Sequence, residues 1–554
     1  MRRSGIVVLI VMLAASACGG VNRREMNAAV GALVGQEKAP AYLEGVAWEE
    51  VRSIYADRNG EALWVAPDKP LAQARALIEA VADAESEGLR VAEYELDALQ
   101  TALEKAYHDG KSTPEALAEL DVRLTALYLE YGHDLLVGRL DPRRVDKSWY
   151  IRMRHAAVDS VLRSSARHED FSKAVSELAP SQPDYPALVA ELGRYRAIAA
   201  RGGWPRVVSP LKPGTTGPAV TVLRARLVAS GDLDSSAVAD PRFDGALEQA
   251  VTRFRARHGL PPEGGLDAAA VAALNVPVEQ RIRQLELNLE RLRWLPNDFG
   301  QRYVYVNIPD FYLHAFDGGK EVLSMRVIVG EDYDTETPVF ADTMSYVEFR
   351  PYWNVPSSIA FEELLPKIRA NPRFLEANNY EVVPASGREE PVDARSIDWD
   401  DVDSTNFPYR IRQGPGETNA LGLVKFMFPN RFNIYMHDTP ADHLFHRHRR
   451  AFSHGCIRLE HPDRFAQFVL DGAPGWDPGR IEEAMQGEDN QQVRLRKTLP
   501  VYILYLTAFA RDGVVQYRDD LYGTDRQAMA RLGTPAPVAA IAALRERLDE
   551  LMKG

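Results

Sequence analysis

Cys456 lies in the stretch "AFSHGCIRLEHP", residues 451 to 462, and is one of only two cysteines in a chain with twelve histidines. Six of those histidines, His437, His443, His446, His448, His454 and His461, fall within 25 residues of one another around it. Two chemistries compete for such a cluster. A thiol becomes a strong nucleophile when an imidazole takes its proton and stabilises the thiolate. If Ser453 to Arg458 enters or leaves a strand, His454 and Cys456 project to the same side. Gly455 between them has no Cβ, so backbone N–H groups can come close to a developing oxyanion. His437 follows the strand-like "FNIY", which can present it to the thiol at a strand end. The alternative is a metal site built from "HLFHRH", since zinc accepts both imidazole and thiolate. Arg447, Arg449 and Arg450 would repel a dication there, and no H-E-x-x-H pattern is present. Nucleophilic catalysis without a metal or other cofactor is therefore the expectation. The polar wrapping of Ser, His, Gly and Arg argues against an inert buried thiol.

The chain starts "MRRSGIVVLIVMLAASACGG": two arginines, a short apolar run and small residues leading to Cys18. That is the layout of a secretory signal, and the run is shorter than the roughly 20 apolar residues of a spanning helix. Ala15-Ser16-Ala17-Cys18 resembles a bacterial lipobox. The resemblance implies lipidation of Cys18 and a protein anchored to a membrane without spanning it, on the periplasmic side of the cell envelope, with the outer membrane the expected host. Cys456 is then left without a partner, so no intramolecular disulfide forms even though an exported protein permits one.

The elements that must position these residues fall into blocks. A net charge of -13 with no long basic run argues against nucleic acid as a partner. The length suits three or four domains. Residues 40 to 200 carry apolar residues at helical spacing, as in "LAQARALIEAVADAESEGL", and read as a helical scaffold. The Gly- and Pro-rich "RGGWPRVVSPLKPGTTGPAV" marks a boundary. Beyond it, Val220, Leu223 and Leu227 share one helical face and Leu247, Val251 and Phe254 another, with Leu260, Val271 and Leu274 closing a small core; Gly259 suits a helix end. From Tyr303 the period changes: "YVYVNIPDFYLHAF", "EVLSMRVIVG", "FNIYMH" and "LPVYILYLTAFA" read as strands, the first two joined near Asp317-Gly318-Gly319. A helical insertion from Ser358 interrupts them, and "PAPVAAIAALRERLDELMKG" reads as a terminal amphipathic helix. The expected organisation is multidomain α+β: a signal peptide at 1–18, a scaffold at 19–205, a three-helix module at 206–280, a mainly-β catalytic domain at 281–520 with a lid insertion at about 358–410, and a helical tail at 521–554.

Two resemblances give these blocks an expected function. Gly217, Val220, Leu223, Phe243-Asp244, Ala250-Val251, Phe254, Gly259-Leu260, Gly265 and Leu274-Asn275 resemble the pattern of the small three-helix peptidoglycan-binding module. "YMHDTP" followed by "SHGCIRL" resembles the signature of the L,D-transpeptidases with a YkuD-type catalytic domain, supported by "TPVF" at 337, "RPYWNVPSSI" at 350 and "RQGPGETNALGLVKFMFPN" at 412. That resemblance implies Cys456 as nucleophile and His437 as its base, oriented by the main-chain carbonyl of Asp438. It implies that His454 lines the site and that Gly455 and the Cys456 N–H form an oxyanion hole, with Tyr435 as a further donor. Ser453 and Arg458 shape the substrate side. The implied reaction is acyl transfer from a peptidoglycan tetrapeptide stem through a cysteine thioester, with loss of D-Ala and formation of a 3-3 cross-link to an acceptor stem. Carbapenem acylation of the thiol and association with other cell-wall synthases are also implied. An L,D-carboxypeptidase, a wall-to-protein transferase using the same thioester, a metallohydrolase acting on the wall, and a non-catalytic wall-binding lipoprotein remain open alternatives.

Overall fold

The computed structural model describes residues 20–533, apart from 44, 109–111, 148, 155–157, 166–170, 209–210, 332–334, 372 and 387–389, with a few positions beyond 533. The lipid-anchor expectation at Cys18 and most of the expected terminal amphipathic helix lie outside the described residues. The chain divides into two compact units.

The first unit comprises residues 1–136, 155–179 and 534–554. Its described elements are helical, among them Arg23–Val34, Ala72–Ala82, Leu96–Tyr107 and the long helix starting at Pro114. One buried carboxylate organises the turn between helices. Asp121 accepts the N–H groups of Leu63, Trp64 and Val65 at 3.0, 2.7 and 3.1 Å and the Tyr55 hydroxyl at 2.6 Å. Three backbone donors with no ladder of their own are thereby satisfied inside the core.

The second unit comprises residues 137–154 and 180–533. Its small module folds as three helices, Pro218–Ala229, Gly245–Arg257 and Ala268–Leu274. Val220, Leu223, Leu227, Leu247, Val251, Phe254 and Leu274 are buried in one core, as the spacing predicts, with Leu260 and Val271 at its margin. Asp244 and Asp267 cap the second and third helices, accepting from Leu247 N at 2.9 Å and Ala270 N at 2.8 Å.

Helix Val278–Trp294 leaves this module with charged and amide residues on most faces, yet Arg281, Gln284, Glu286, Asn288, Glu290, Arg291 and Arg293 are all buried. A polar helix survives in a core only if each polar group finds a partner. Asn288 exchanges two hydrogen bonds with Thr507, both at 2.9 Å, and Gln284 donates to the carbonyls of Thr507 and Arg518 at 2.9 Å. Arg291 pairs with Asp525 at 2.6 Å, Glu286 with Arg196 at 2.7 Å, and Arg293 donates to the Tyr185 hydroxyl at 2.7 Å.

The strands of this unit run in chain order as β1 (Arg302–Asn307), β2 (Tyr312–Asp317), β3 (Lys320–Gly330), β4 (Phe340–Phe349), β5 (Trp353–Asn354), β6 (Tyr380–Pro384) and β7 (Tyr409–Gln413). They continue as β8 (Val424–Met427), β9 (Met436–His437), β10 (Ala451–Ser453), β11 (Ile457–Leu459), β12 (Gln491–Leu504), β13 (Ala508–Arg511) and β14 (Val514–Tyr517). Nine of them form one sheet in the order β10-β3-β11-β9-β8-β4-β12-β1-β2, and β2, at one end, also pairs with β3, the strand next to the other end. Strands β13 and β14 make a separate hairpin.

Several expectations need correction. "FNIYMH" is strand only at Met436–His437, and "LPVYILYLTAFA" breaks between Leu504 and Ala508. "YVYVNIPDFYLHAF" is not one strand but two antiparallel ones, because Pro309 cannot donate to a ladder and Phe311 adopts a positive φ of 57°, which reverses the chain. The insertion near 358–410 is not purely helical either. Short helical turns between Ser357 and Ala377 pack on a three-stranded sheet in the order β5-β7-β6, around a core of its own that includes Ile359, Leu364, Ile368, Val382, Trp399 and Ile411. Tyr380, Val382 and Val383 in "YEVVP" and Tyr409 and Ile411 in "YRIRQ" are the β-favouring residues of that sheet.

Replacing Asn288 by Leu leaves the Thr507 N–H and hydroxyl without these partners. We expect a loss of about 1–3 kcal/mol in the unfolding free energy, read from denaturant melts of the full chain.

Candidate active site

Parallel pairing between β9 and β11 assembles the site. Met436 faces Ile457 and His437 faces Arg458 in register, and Ile457 N donates to the Tyr435 carbonyl at 3.0 Å. Met436 and Ile457 point into the core and are fully buried. By the two-residue period of a strand, Tyr435 and His437 share the opposite face, as do Cys456 and Arg458. The Tyr435 and His437 rings lie 5.6 Å apart on that face.

The turn carrying the thiol is braced from inside. Ser453 is buried; its hydroxyl donates to the Cys456 carbonyl at 2.5 Å and accepts the Gly455 N–H at 3.2 Å. The Thr337 hydroxyl donates to the Gly455 carbonyl and accepts the Gly330 N–H, both at 2.8 Å. Gly455 has φ of 103°, and a Cβ there would press on Ile434 Cδ1 at 3.0 Å. Because the Gly455 N–H is committed to Ser453, the main-chain donor left at the thiol is the Cys456 N–H, which has no partner among the described residues. Ser453 thus shapes the turn from within.

The thiol itself lies 3.9 Å from the Asn433 carbonyl. Burial raises the Cys456 pKa, opposed by the Tyr435 backbone N–H and phenol and by the positive charges of Lys425 and Arg458. Trp353, from β5 of the insertion, donates to the same phenol. Loop 430–434 is held over the thiol by Asn430, whose amide donates to the Phe428 and Ile434 carbonyls at 2.7 Å.

His437 is buried, and its Nδ1 lies 2.5 Å from the Asp438 carbonyl oxygen. A carbonyl only accepts, so Nδ1 carries the proton and Nε2 keeps the lone pair a base needs. The Asp438 side chain is fixed in turn, accepting from Leu423 N and Thr439 N at 2.7 Å. Gly422, at φ of 62°, leaves room for that carboxylate, into which a Cβ at 422 would project. Burial raises the Asp438 pKa to about 6. The Asp438 side chain therefore holds the backbone while its carbonyl meets the imidazole.

The sheet register adds residues that the motifs leave unassigned. Glu348 faces Lys425 across β4–β8, Lys425 faces His437 across β8–β9, and His437 faces Arg458 across β9–β11. The imidazole thus stands in a lateral row between two cations. Burial first, then Arg458 and Lys425, lower its pKa to about 3, so the ring is neutral throughout the physiological range. The Arg458 guanidinium makes no hydrogen bond or ion pair among the described residues, and its Nε is buried without a partner. It is available to an incoming anion. Lys425 packs its ammonium 4.0 Å from the Tyr435 ring centre.

His454 points elsewhere. It is half exposed, and its Nε2 meets Glu363 Oε1 of the insertion at 2.8 Å, so it ties the insertion to the thiol-bearing turn. His443, His446 and His461 are also not brought to the thiol, and no group of three or more His, Cys, Asp or Glu side chains among the described residues could hold a metal ion.

Comparisons with known proteins match this architecture part by part. Residues 301–480 match the family model of the L,D-transpeptidase catalytic domain (YkuD). This segment is an L,D-transpeptidase catalytic domain. Residues 49–192 match a scaffold domain and residues 216–274 a "Putative peptidoglycan binding domain". A Haemophilus influenzae protein named "Putative L,D-transpeptidase" is 39% identical over 245 residues, 44% of this chain. The match spans 48%, about half, of that relative's length. The crystal structure of an L,D-transpeptidase from Xylanimonas cellulosilytica shares 14% identity over 54% of this chain and 99% of that one; its TM-score of 0.17 is too low to carry an argument.

In the transpeptidase domain burial keeps the His437 imidazole neutral and the flanking cations add to that effect. Replacing Lys425 by Met removes one of them, so the His437 pKa rises. We expect the His437 ring signal in NMR to stay in its neutral form down to pH 5 in the parent and to begin protonating at higher pH in Lys425→Met.

Proposed function

We propose that this protein is a peptidoglycan L,D-transpeptidase that forms 3-3 cross-links through a thioester on Cys456. The observation that carries the proposal is the juxtaposition, on one sheet face, of a thiol, an imidazole with a free Nε2 and two cations. The donor is a tetrapeptide stem, and the bond broken is the one between its third residue and the terminal D-Ala. As Cys456 Sγ attacks that carbonyl, His437 Nε2 takes the thiol proton. The tetrahedral oxyanion is met by the Cys456 N–H and the Tyr435 hydroxyl. The resulting imidazolium, set between Lys425 and Arg458, is a strong acid and delivers its proton to the leaving D-Ala nitrogen. The amine of an acceptor stem then attacks the thioester, and the thiol is regenerated. Thiol and imidazole are both neutral before substrate binds, so the proton moves during attack instead of resting in a preformed ion pair.

The insertion joined to the site by Glu363–His454 and Trp353–Tyr435 serves as a cover that limits hydrolysis of the thioester. Arg458 holds a carboxylate of the stem. The module at 216–274 holds the enzyme to the wall, and a lipid on Cys18 anchors it at the periplasmic face of the outer membrane, where other wall synthases are candidate partners.

The test is mass spectrometry of the protein incubated with disaccharide-tetrapeptide. We expect a covalent adduct on Cys456 lacking D-Ala, followed by cross-linked dimer, and neither product from Cys456→Ala. Tripeptide without dimer identifies an L,D-carboxypeptidase instead, and transfer to a protein lysine identifies an attachment enzyme. A carbapenem is expected to block iodoacetamide labelling of Cys456; full labelling after carbapenem treatment counts against the donor-site assignment.

A further inference from the structure

The histidine- and arginine-rich segment after His437 takes no part in the chemistry above, yet part of it lines a second cavity of about 380 Å³. Its walls come from three places: Gly259 to Pro262 of the peptidoglycan-binding module, Phe311 and Tyr312 at the start of β2, and Arg449 with Arg450. Arg511 and Arg518, from β13 and the end of the hairpin, close it. His448 interacts with the Gly259 carbonyl, and Arg518 donates to the Arg257 carbonyl at 3.1 Å, so the module and the catalytic domain are joined at the cavity itself.

The charges there are incompletely balanced. Four guanidinium groups face three carboxylates, those of Asp310, Asp519 and Asp520. Asp310 is shared by Arg511 and Arg518, both at 2.6 Å, and Asp520 is committed to the Tyr505 hydroxyl at 2.8 Å and Asp525 N at 2.9 Å. Arg450 is only 7% exposed, and its hydrogen bonds go to the carbonyls of Val327, Arg447, His448 and Phe311 at 3.2, 2.9, 3.4 and 3.0 Å. Those partners satisfy its N–H groups without neutralising its charge. Asp310 and Glu460 act on Arg450 only at longer range, with no direct ion pair, and a buried cation offset that weakly is costly unless an anion is supplied. Arg449 is exposed and makes no hydrogen bond or ion pair among the described residues. Phe311 holds its positive φ here, a conformation that a bulky side chain adopts only when its surroundings impose it.

We propose that this cavity is a subsite for the carboxylates of a peptidoglycan stem peptide, engaged when the module holds the wall. The proposal rests on the peptidoglycan reading above and adds a second contact for the polymer outside the thiol site. Glycan hydroxyls are neutral and gain little from uncompensated guanidinium groups, whereas stem peptides carry free carboxylates that arginine binds in bidentate fashion.

The test uses the full chain with Cys456→Ala, so that nothing is turned over, and measures binding to intact sacculi and to sacculi whose carboxyl groups have been converted to amides. Arg449→Glu is expected to weaken binding to intact sacculi about five- to tenfold and to leave binding to amidated sacculi unchanged, with Arg449→Lys losing less than Arg449→Glu because it keeps the charge without the bidentate geometry. Equal binding by Arg449→Glu and the parent, or an equal loss on both polymers, overturns the subsite. With Cys456 intact, turnover of soluble disaccharide-tetrapeptide by Arg449→Glu is measured in parallel. Activity there alongside unchanged sacculus binding rejects the subsite alone, while inactivity of the parent as well rejects the transpeptidase reading. Unchanged melting temperature confirms that each variant is folded.

Discussion

The electrostatic row Glu348, Lys425, His437, Arg458 is the constraint on which the site depends. A base buried between two cations holds a proton poorly, and that is a defect only if the base must store it. In acyl transfer the proton is borrowed from a thiol and returned to an amine within one half-reaction, so a weakly held proton speeds its return. The same two cations favour each negative species formed alongside: thiolate, oxyanion and substrate carboxylate. One arrangement therefore opposes charge on the base and stabilises charge on everything it reacts with.

Keeping that row in register requires pairing that two very short strands cannot secure alone. β9 is two residues long and β11 three. Their parallel pairing needs a crossover, here residues 438 to 456, and parallel connections of that kind do not form from a tight turn. The anchors are therefore outside the strands: Thr337 on Gly455, Ser453 within the turn, Asp438 on Leu423 and Thr439, and Asn430 under the preceding loop. Thr337 and Ser453 are buried, Asp438 and Asn430 are partly buried, and each makes the hydrogen bonds just named. Removing one partner would leave the other unsatisfied, which makes the geometry stiff.

How much of this was legible in the sequence follows from the distance over which each signal acts. His454, Gly455 and Cys456 are contiguous, and His437 lies 19 residues before the thiol at the end of an apolar run, so the thiol and imidazole of the proposed mechanism could be singled out at once. The three-helix core was legible because Val220, Leu223 and Leu227 repeat at helical spacing. Lys425 and Glu348 were not, since each meets its neighbour only through sheet register, which a sequence does not carry. The contact of His454 with Glu363 was hidden for a related reason: Glu363 lies on the insertion about 90 residues earlier. The break at Ile308 to Phe311 was hidden because strand-like residues flank it on both sides. Pro309 was the one visible clue.

Helix Val278–Trp294 explains why a wall-binding module and a catalytic sheet belong to one compact unit. An apolar helix could slide or rotate against its neighbours at little cost, because hydrophobic contact is non-directional. This helix fixes its register through directional bonds, Asn288 to Thr507 and Gln284 to Thr507 and Arg518, at the junction between β12 and the β13–β14 hairpin. Arg518 then reaches both Asp310 and the carbonyl of Arg257 at the end of the module's second helix. These directional contacts fix the register between module and sheet. A polymer held by the module would thereby be presented to the sheet in one orientation, as the proposed transfer between two stems requires.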